Sequence, residues 1–250
     1  MITKFTSYVL LLVRCLGSFT MLAGVENLMA DDNQVFPHGP GLHDFQFQSS
    51  VGTMDLSLAL PETISKGAPL VLVLHYAGQP TRYYGRPLLE NLMLPAFEMI
   101  EDDAGAIFVA PTSLGGDWQT TNNTSAVLEV MKALENQYGT APSRRVVSGY
   151  SMGAVGSWHL QSSISGFFAA AIPIAGYPTR SSVDCTTPTY AIMSDSDEIF
   201  PVKSFEELTE ELQQKGCPIT VEIISGSGHY DIGGFREAVS NAARWLRKQW

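Results

Sequence analysis

Alternation comes first along this chain. In "HDFQFQS" (43–49) and "MDLSLALP" (54–61) apolar side chains recur at every second residue, Met54, Leu56, Leu58 and Leu60 being the clearest series. A period of two reads as a half-exposed strand, and Gly52 between the stretches suits a hairpin turn. After "KGAP" the pattern changes. "LVLVLH" (70–75) is continuously apolar, as a strand covered on both faces must be. Similar runs recur at "AIFVAP" (106–111), "RVVSG" (145–149), "FAAAIPIAG" (168–176), "TYAIMSD" (189–195) and "ITVEIIS" (219–225). Helical stretches separate them: one within "RPLLENLMLPAFEMIEDDAG", then "SAVLEVMKALENQYG", "MGAVGSWHLQSS", "VKSFEELTEELQQKG" and "GGFREAVSNAARWLRKQW". The second places Val127, Leu128, Met131, Leu134 and Tyr138 on one face and stops at Gly139.

Strands that alternate with helices require crossover connections and hence a mostly parallel sheet. With the hairpin, the expectation is an α/β fold with eight strands and helices on both faces. About a dozen residues join "FAAAIPIAG" to "TYAIMSD", close to the minimum for a parallel crossover. That leaves no room for a lid domain and predicts an open cleft.

Composition narrows the partners. The chain has 250 residues, 45% hydrophobic and 16% charged, enough for one well-sized domain. Its formal net charge of −10 argues against nucleic acid or an anionic membrane as partner. At the start, Lys4 and Arg14 supply positive charge ahead of the short apolar run "CLGSFTMLAGV", too short to span a bilayer. Residues 1–30 read as a signal peptide, with Leu28 and Ala30 before the cut and Asp31 opening a single domain, 31–250. Export to the periplasm or outside the cell follows, with no stable membrane span once the leader is cut. Of the three cysteines, Cys15 would leave with the leader. Cys185 and Cys217 each precede a predicted strand; if those strands are parallel neighbours, the two sulfurs lie at one end of the sheet and can bridge.

"GYSMG" (149–153) has the form Gly-x-Ser-x-Gly. In a chain with 22 glycines such a match also arises by chance, so its context decides. Here a buried strand leads in and a helix leads out, the setting of a strained turn that presents Ser151 at the carboxyl end of a sheet. A serine needs a base, and the base an orienting carboxylate. "SDSDEIFP" and "GSGHYDIGGF" each follow a later strand and offer Asp197 and His229 in loops at the same sheet end. Asp195, two residues earlier, is the rival acid; Asp231 reads as solvated. Backbone amides of Met152, opening the helix, and Ala77, in the loop "LHYAGQP", are the expected oxyanion donors. His159 reads as structural and His75 as a loop-shaping residue. His38 and His43 lack the neighbouring Cys or carboxylates that a metal site needs, so no metal or cofactor is expected. Asn122 and Asn123 begin glycosylation-type sequons.

Through "LVLVLHYAG", "GYSMG", "FAAAIPIAG", "SDSDEIFP" and "GHYD", residues 42–250 resemble the α/β-hydrolase superfamily. Within it the chain resembles the secreted polyhydroxybutyrate depolymerase/feruloyl esterase-like group of serine esterases. The resemblance implies Ser151 as nucleophile, Asp197 as acid, His229 as base, and the amides of Ala77 and Met152 as oxyanion hole. The group usually has His-Gly after the first buried strand; this chain has His75-Tyr76. Tyr76 therefore bears on substrate choice, as a narrowing side chain or an added hydroxyl donor. Tyr83, Tyr84, Trp118, Tyr177 and Tyr230 are further candidates to line the cleft.

The expected function is hydrolysis of small-molecule or polymer-linked carboxylic esters through an acyl-enzyme. The alternatives are a serine peptidase of the same fold, a catalytically silent binding protein that keeps it, and an acyltransferase.

Overall fold

The computed structural model describes residues 34–98, 105–178 and 183–249. The expected signal peptide lies outside them. Eight strands form one sheet: β1 (Gly41–Ser49), β2 (Gly52–Leu60), β3 (Leu70–Leu74), β4 (Ile107–Pro111), β5 (Arg145–Tyr150), β6 (Ala170–Ile174), β7 (Thr189–Ser194) and β8 (Ile219–Ile224). Their spatial order is β1-β2-β4-β3-β5-β6-β7-β8. β2 runs antiparallel to β1 and to β4, and all pairs from β4 to β8 are parallel. In the hairpin Ser49 pairs with Gly52, so Ser50 and Val51 make the turn and Gly52, at φ +146°, closes it.

The helices are α1 (Arg86–Leu88), α2 (Leu94–Glu98), α3 (Thr121–Tyr138), α4 (Met152–Ser163), α5 (Val202–Gln214) and α6 (Arg236–Leu246). A π turn, Leu89–Met93, separates α1 from α2. Pro95 has no N–H to donate back into that turn, so the helix cannot continue in regular α geometry. α3 starts at Thr121, six residues before Val127 opens its apolar series. The Thr120 side chain caps it by accepting the Asn123 N–H, and Gly139 ends it in the left-handed conformation, φ +67°.

Strand side chains alternate between two cores. Val71, Val146, Ala170, Ile172 and Ile192 meet α1, α2 and α6 on one face. Leu72, Val147 and Ala171 meet α3 on the other, where Ala191 and Met193 also meet α5. That is why β3 to β7 read as unbroken apolar runs: helices cover both faces. β8, the last strand in the sheet, is only half-buried and borders solvent. A disulfide joins Cys185 to Cys217, at the amino ends of β7 and β8. Among the described residues no helix is long and apolar enough to cross a membrane.

Candidate active site

The turn at the carboxyl end of β5 is possible only because two glycines lack side chains. A Cβ on Gly149 would sit 2.3 Å from the Gly153 carbonyl oxygen, and one on Gly153 would sit 2.0 Å from that of Leu74. Without them α4 packs directly against β5 and β3. Ser151 bridges strand and helix at φ 56° and ψ −116°, a conformation that costs a non-glycine residue roughly 1–3 kcal/mol. The Ser151 N–H donates to the Ile174 carbonyl at 2.9 Å, which ties the strained residue to β6.

β7 and β8 deliver the other two groups. Asp197 Oδ2 lies 2.7 Å from His229 Nδ1, and His229 Nε2 lies 2.8 Å from Ser151 Oγ. All three residues are buried. The other carboxylate oxygen of Asp197 accepts the amides of Ile199 (2.9 Å) and Phe200 (2.7 Å), which fix its orientation. With Nδ1–H engaged by Asp197, Nε2 is free to accept the serine proton. The rival Asp195 is turned away. It is exposed and accepts the Gly226 N–H at 3.0 Å, which with Ser196 and Ser225 holds its carboxyl below the usual range. Asp231 is exposed.

Met152 is the first residue of α4, where backbone amides have no partner within the helix and the dipole favours negative charge. Ala77 lines the same cleft. Its loop is braced by His75, fully buried at the end of β3. The Ser113 N–H donates to His75 Nε2 at 3.1 Å, so the ring proton sits on Nδ1 and is donated to the Tyr76 carbonyl at 2.7 Å. Burial pushes the imidazole below its ordinary value, which outweighs the carbonyl bond. His159 lies half-buried on α4, bonded to Ser163. Asn123 is fully buried: it accepts the Leu114 N–H and donates to the Gly115 and Asp117 carbonyls. No glycan fits there.

The cleft has a volume of about 420 Å³ and opens to solvent. Tyr76 and Tyr230 line it, with Ile199, Ile232 and Tyr150. Trp118 does not. It is 1% exposed, donates its indole N–H to the His75 carbonyl at 2.9 Å, and lies against Gly156 of α4. A Cβ on Gly156 would fall 2.5 Å from that of Trp118, so the missing side chain makes room for the indole under the helix. Tyr177 packs against Phe200 and Phe205 rather than lining the cleft. Tyr83 and Tyr84 are half-buried, and Tyr84 stands edge-on to His75 and Tyr76.

Tyr150, the residue before the serine, is 1% exposed, and its hydroxyl donates to the His229 carbonyl at 2.8 Å. Burial, and then the charges of Asp197, Asp231 and Glu198, hold its proton on. Glu198 accepts the His229 N–H at 2.7 Å. Neither contact leaves a local pattern in the sequence. Among the described residues no group of three or more His, Cys, Asp or Glu is placed to hold a metal ion.

Comparison with known proteins agrees with this architecture. Solved structures share the fold at low identity. An α/β serine hydrolase without lid from Xanthomonas campestris superposes with a TM-score of 0.65 at 19% identity, over 86% of this chain and 98% of that one. The feruloyl esterase module from Clostridium thermocellum, a mutant complexed with sinapinate, gives 0.64 at 15% identity, over 84% and 88%. In sequence, 184 residues, 71% of this chain, are 24% identical to a bifunctional acetylxylan esterase/xylanase of Neocallimastix patriciarum. The match spans 26% of that relative's length. The dienelactone hydrolase family pattern matches residues 108–243, which hold Ser151, Asp197 and His229 and all of β5 to β8. Matched over more than half its length, the chain belongs to the dienelactone hydrolase family, and it has the α/β-hydrolase fold.

Proposed function

We propose that this protein is an exported serine hydrolase that cleaves carboxylic esters through an acyl-enzyme on Ser151. His229 Nε2 takes the serine proton as Oγ attacks the ester carbonyl. The amides of Met152 and Ala77 bind the oxyanion of the tetrahedral intermediate. Collapse breaks the ester C–O bond, and His229 returns the proton to the departing alcohol. Water then attacks the acyl-enzyme and gives its proton to His229; as the acyl–Oγ bond breaks, His229 returns the proton to Ser151 Oγ and the acid leaves. Asp197 keeps the imidazole in the right tautomer and stabilises its charged form.

The observation that carries the reading is the His229 ring, bonded at once to Ser151 Oγ at 2.8 Å and Asp197 at 2.7 Å. The relative named as an acetylxylan esterase/xylanase and the structure named as a feruloyl esterase suggest ester groups attached to larger molecules as substrates. An open cleft suits them. The disulfide fits an oxidising compartment and so supports export, with residues 1–30 as leader and 31–250 as the catalytic unit.

The test is hydrolysis of p-nitrophenyl acetate by the wild type and Ser151→Ala. Turnover lost in the variant supports the reading. Equal turnover in both, or none in the folded wild type, overturns it.

A further inference from the structure

The base of this site hangs from the weakest part of the sheet. His229 follows β8, the edge strand, which has one strand neighbour and a half-exposed surface. Productive geometry must nonetheless be held within about 0.5 Å and 10–20°. The ring is aligned by Ser151 and Asp197, but those bonds act on the side chain alone. The main chain beneath it needs its own anchors.

Three side chains provide them, none from β8 or its loop. Tyr150 at the end of β5 donates its hydroxyl to the His229 carbonyl at 2.8 Å. Glu198 after β7 accepts the His229 N–H at 2.7 Å. Asp195, in the same loop, accepts the Gly226 N–H at 3.0 Å. Tyr150 is itself fixed: its ring stands edge-on to Phe235 at 5.3 Å, in the core between β5 and α6. Gly228 lies next to Glu198, where an added Cβ would come within 3.2 Å of its carboxylate oxygen.

We propose that Tyr150 and Glu198 are positioning residues that clamp the His229 backbone at its carbonyl and its amide, with Asp195 holding the loop three residues upstream. Tyr150 and Glu198 act through the histidine, their polar groups bonded to its main chain. The arrangement couples the three catalytic loops. Tyr150 is chain-adjacent to Ser151 and Glu198 to Asp197, so the segments presenting nucleophile and acid also set the position of the base. A displacement of about 1 Å at such a site costs on the order of 100-fold in rate. Losing one of two clamps, with the ring bonds intact, is expected to cost about tenfold in kcat. This inference rests on the esterase reading above.

The experiment compares steady-state kinetics on p-nitrophenyl acetate for the wild type, Tyr150→Phe, Glu198→Ala and Glu198→Gln, with folding checked by circular dichroism. Glutamine keeps an acceptor oxygen for the His229 N–H; alanine does not. The expected result is a roughly tenfold fall in kcat for Tyr150→Phe and Glu198→Ala with KM within about twofold. Glu198→Gln recovers most of the Glu198→Ala loss. A destabilised but otherwise neutral fold would not produce that split or that rescue. Full kcat in Tyr150→Phe and Glu198→Ala beside an active wild type overturns the clamp and leaves the esterase reading standing. Glu198→Gln as impaired as Glu198→Ala overturns the hydrogen-bond role of Glu198. An inactive wild type overturns the esterase reading, and the clamp with it.

Discussion

Breaking the disulfide should lower stability without touching the chemistry. Cys185 and Cys217 are 32 residues apart in sequence. Cross-linking a loop of that length removes conformational entropy from the unfolded chain worth roughly 3.7 kcal/mol at 25 °C. For a domain of this size each kcal/mol moves Tm by about 2–4 °C, so the bridge accounts for roughly 7–15 °C. The triad is at the other end of the strands. β7 and β8 each run six residues from the bridge toward the catalytic loops, a rise of roughly 20 Å. Well below Tm the reduced protein should therefore keep its kcat. The assay is thermal unfolding by circular dichroism of the oxidised protein, the protein in dithiothreitol, and the Cys185→Ser/Cys217→Ser double variant. Esterase rates at 25 °C are measured on the same samples. Midpoints within about 2 °C of one another would refute the loop-entropy reasoning. A folded double variant without activity would refute the separation of bridge from site.

Asp197→Asn removes the acceptor that sets the His229 tautomer and is expected to lower kcat by roughly 10³–10⁴-fold with KM little changed, as read in steady-state kinetics. His75 should make folding acid-sensitive. It is held neutral in the fold, so below its ordinary pKa of about 6.5 the unfolded chain binds a proton that the folded one refuses. Its contribution is intact above that pH and lost as pH falls below it. Urea unfolding of wild type and His75→Asn at pH 7.5 and 5.5 should show the larger loss in the wild type. Cleft charge sets a further expectation. Segments 194–201 and 225–235 hold Asp195, Asp197, Glu198 and Asp231 and no Lys or Arg. After correction for intrinsic reactivity, an aryl acetate carrying a carboxylate should have a kcat/KM about tenfold below its methyl ester at low salt, the gap closing at high salt.

The parts of this protein readable from sequence are those whose cause is local. Buried strands such as Leu70–Leu74 and Ile107–Pro111 announce themselves because helices on both faces demand unbroken apolar runs. The proposed triad is legible because Ser151, Asp197 and His229 each follow a strand, β5, β7 and β8, at one end of the sheet. Asp197 prevails over Asp195 because its carboxylate folds back onto the amides of Ile199 and Phe200, beside His229, whereas Asp195 reaches across to Gly226. What stayed hidden depends on distant partners. Trp118 sat in a loop and looked free to line the cleft, yet Gly156 of α4 opens the space that buries it. Tyr150 and Glu198 meet His229 across 79 and 31 residues. The π turn before Pro95 leaves no break in the apolar spacing, which continues through it.

The central claim is a covalent intermediate on Ser151. The most direct test treats the protein with an alkyl fluorophosphonate and maps the label by peptide mass spectrometry, beside Ser151→Ala. One adduct is expected, on the peptide containing Ser151, with loss of esterase activity in proportion to labelling and no adduct in the variant. An adduct on another residue that tracks activity, or esterase turnover that persists in fully labelled protein, would contradict it.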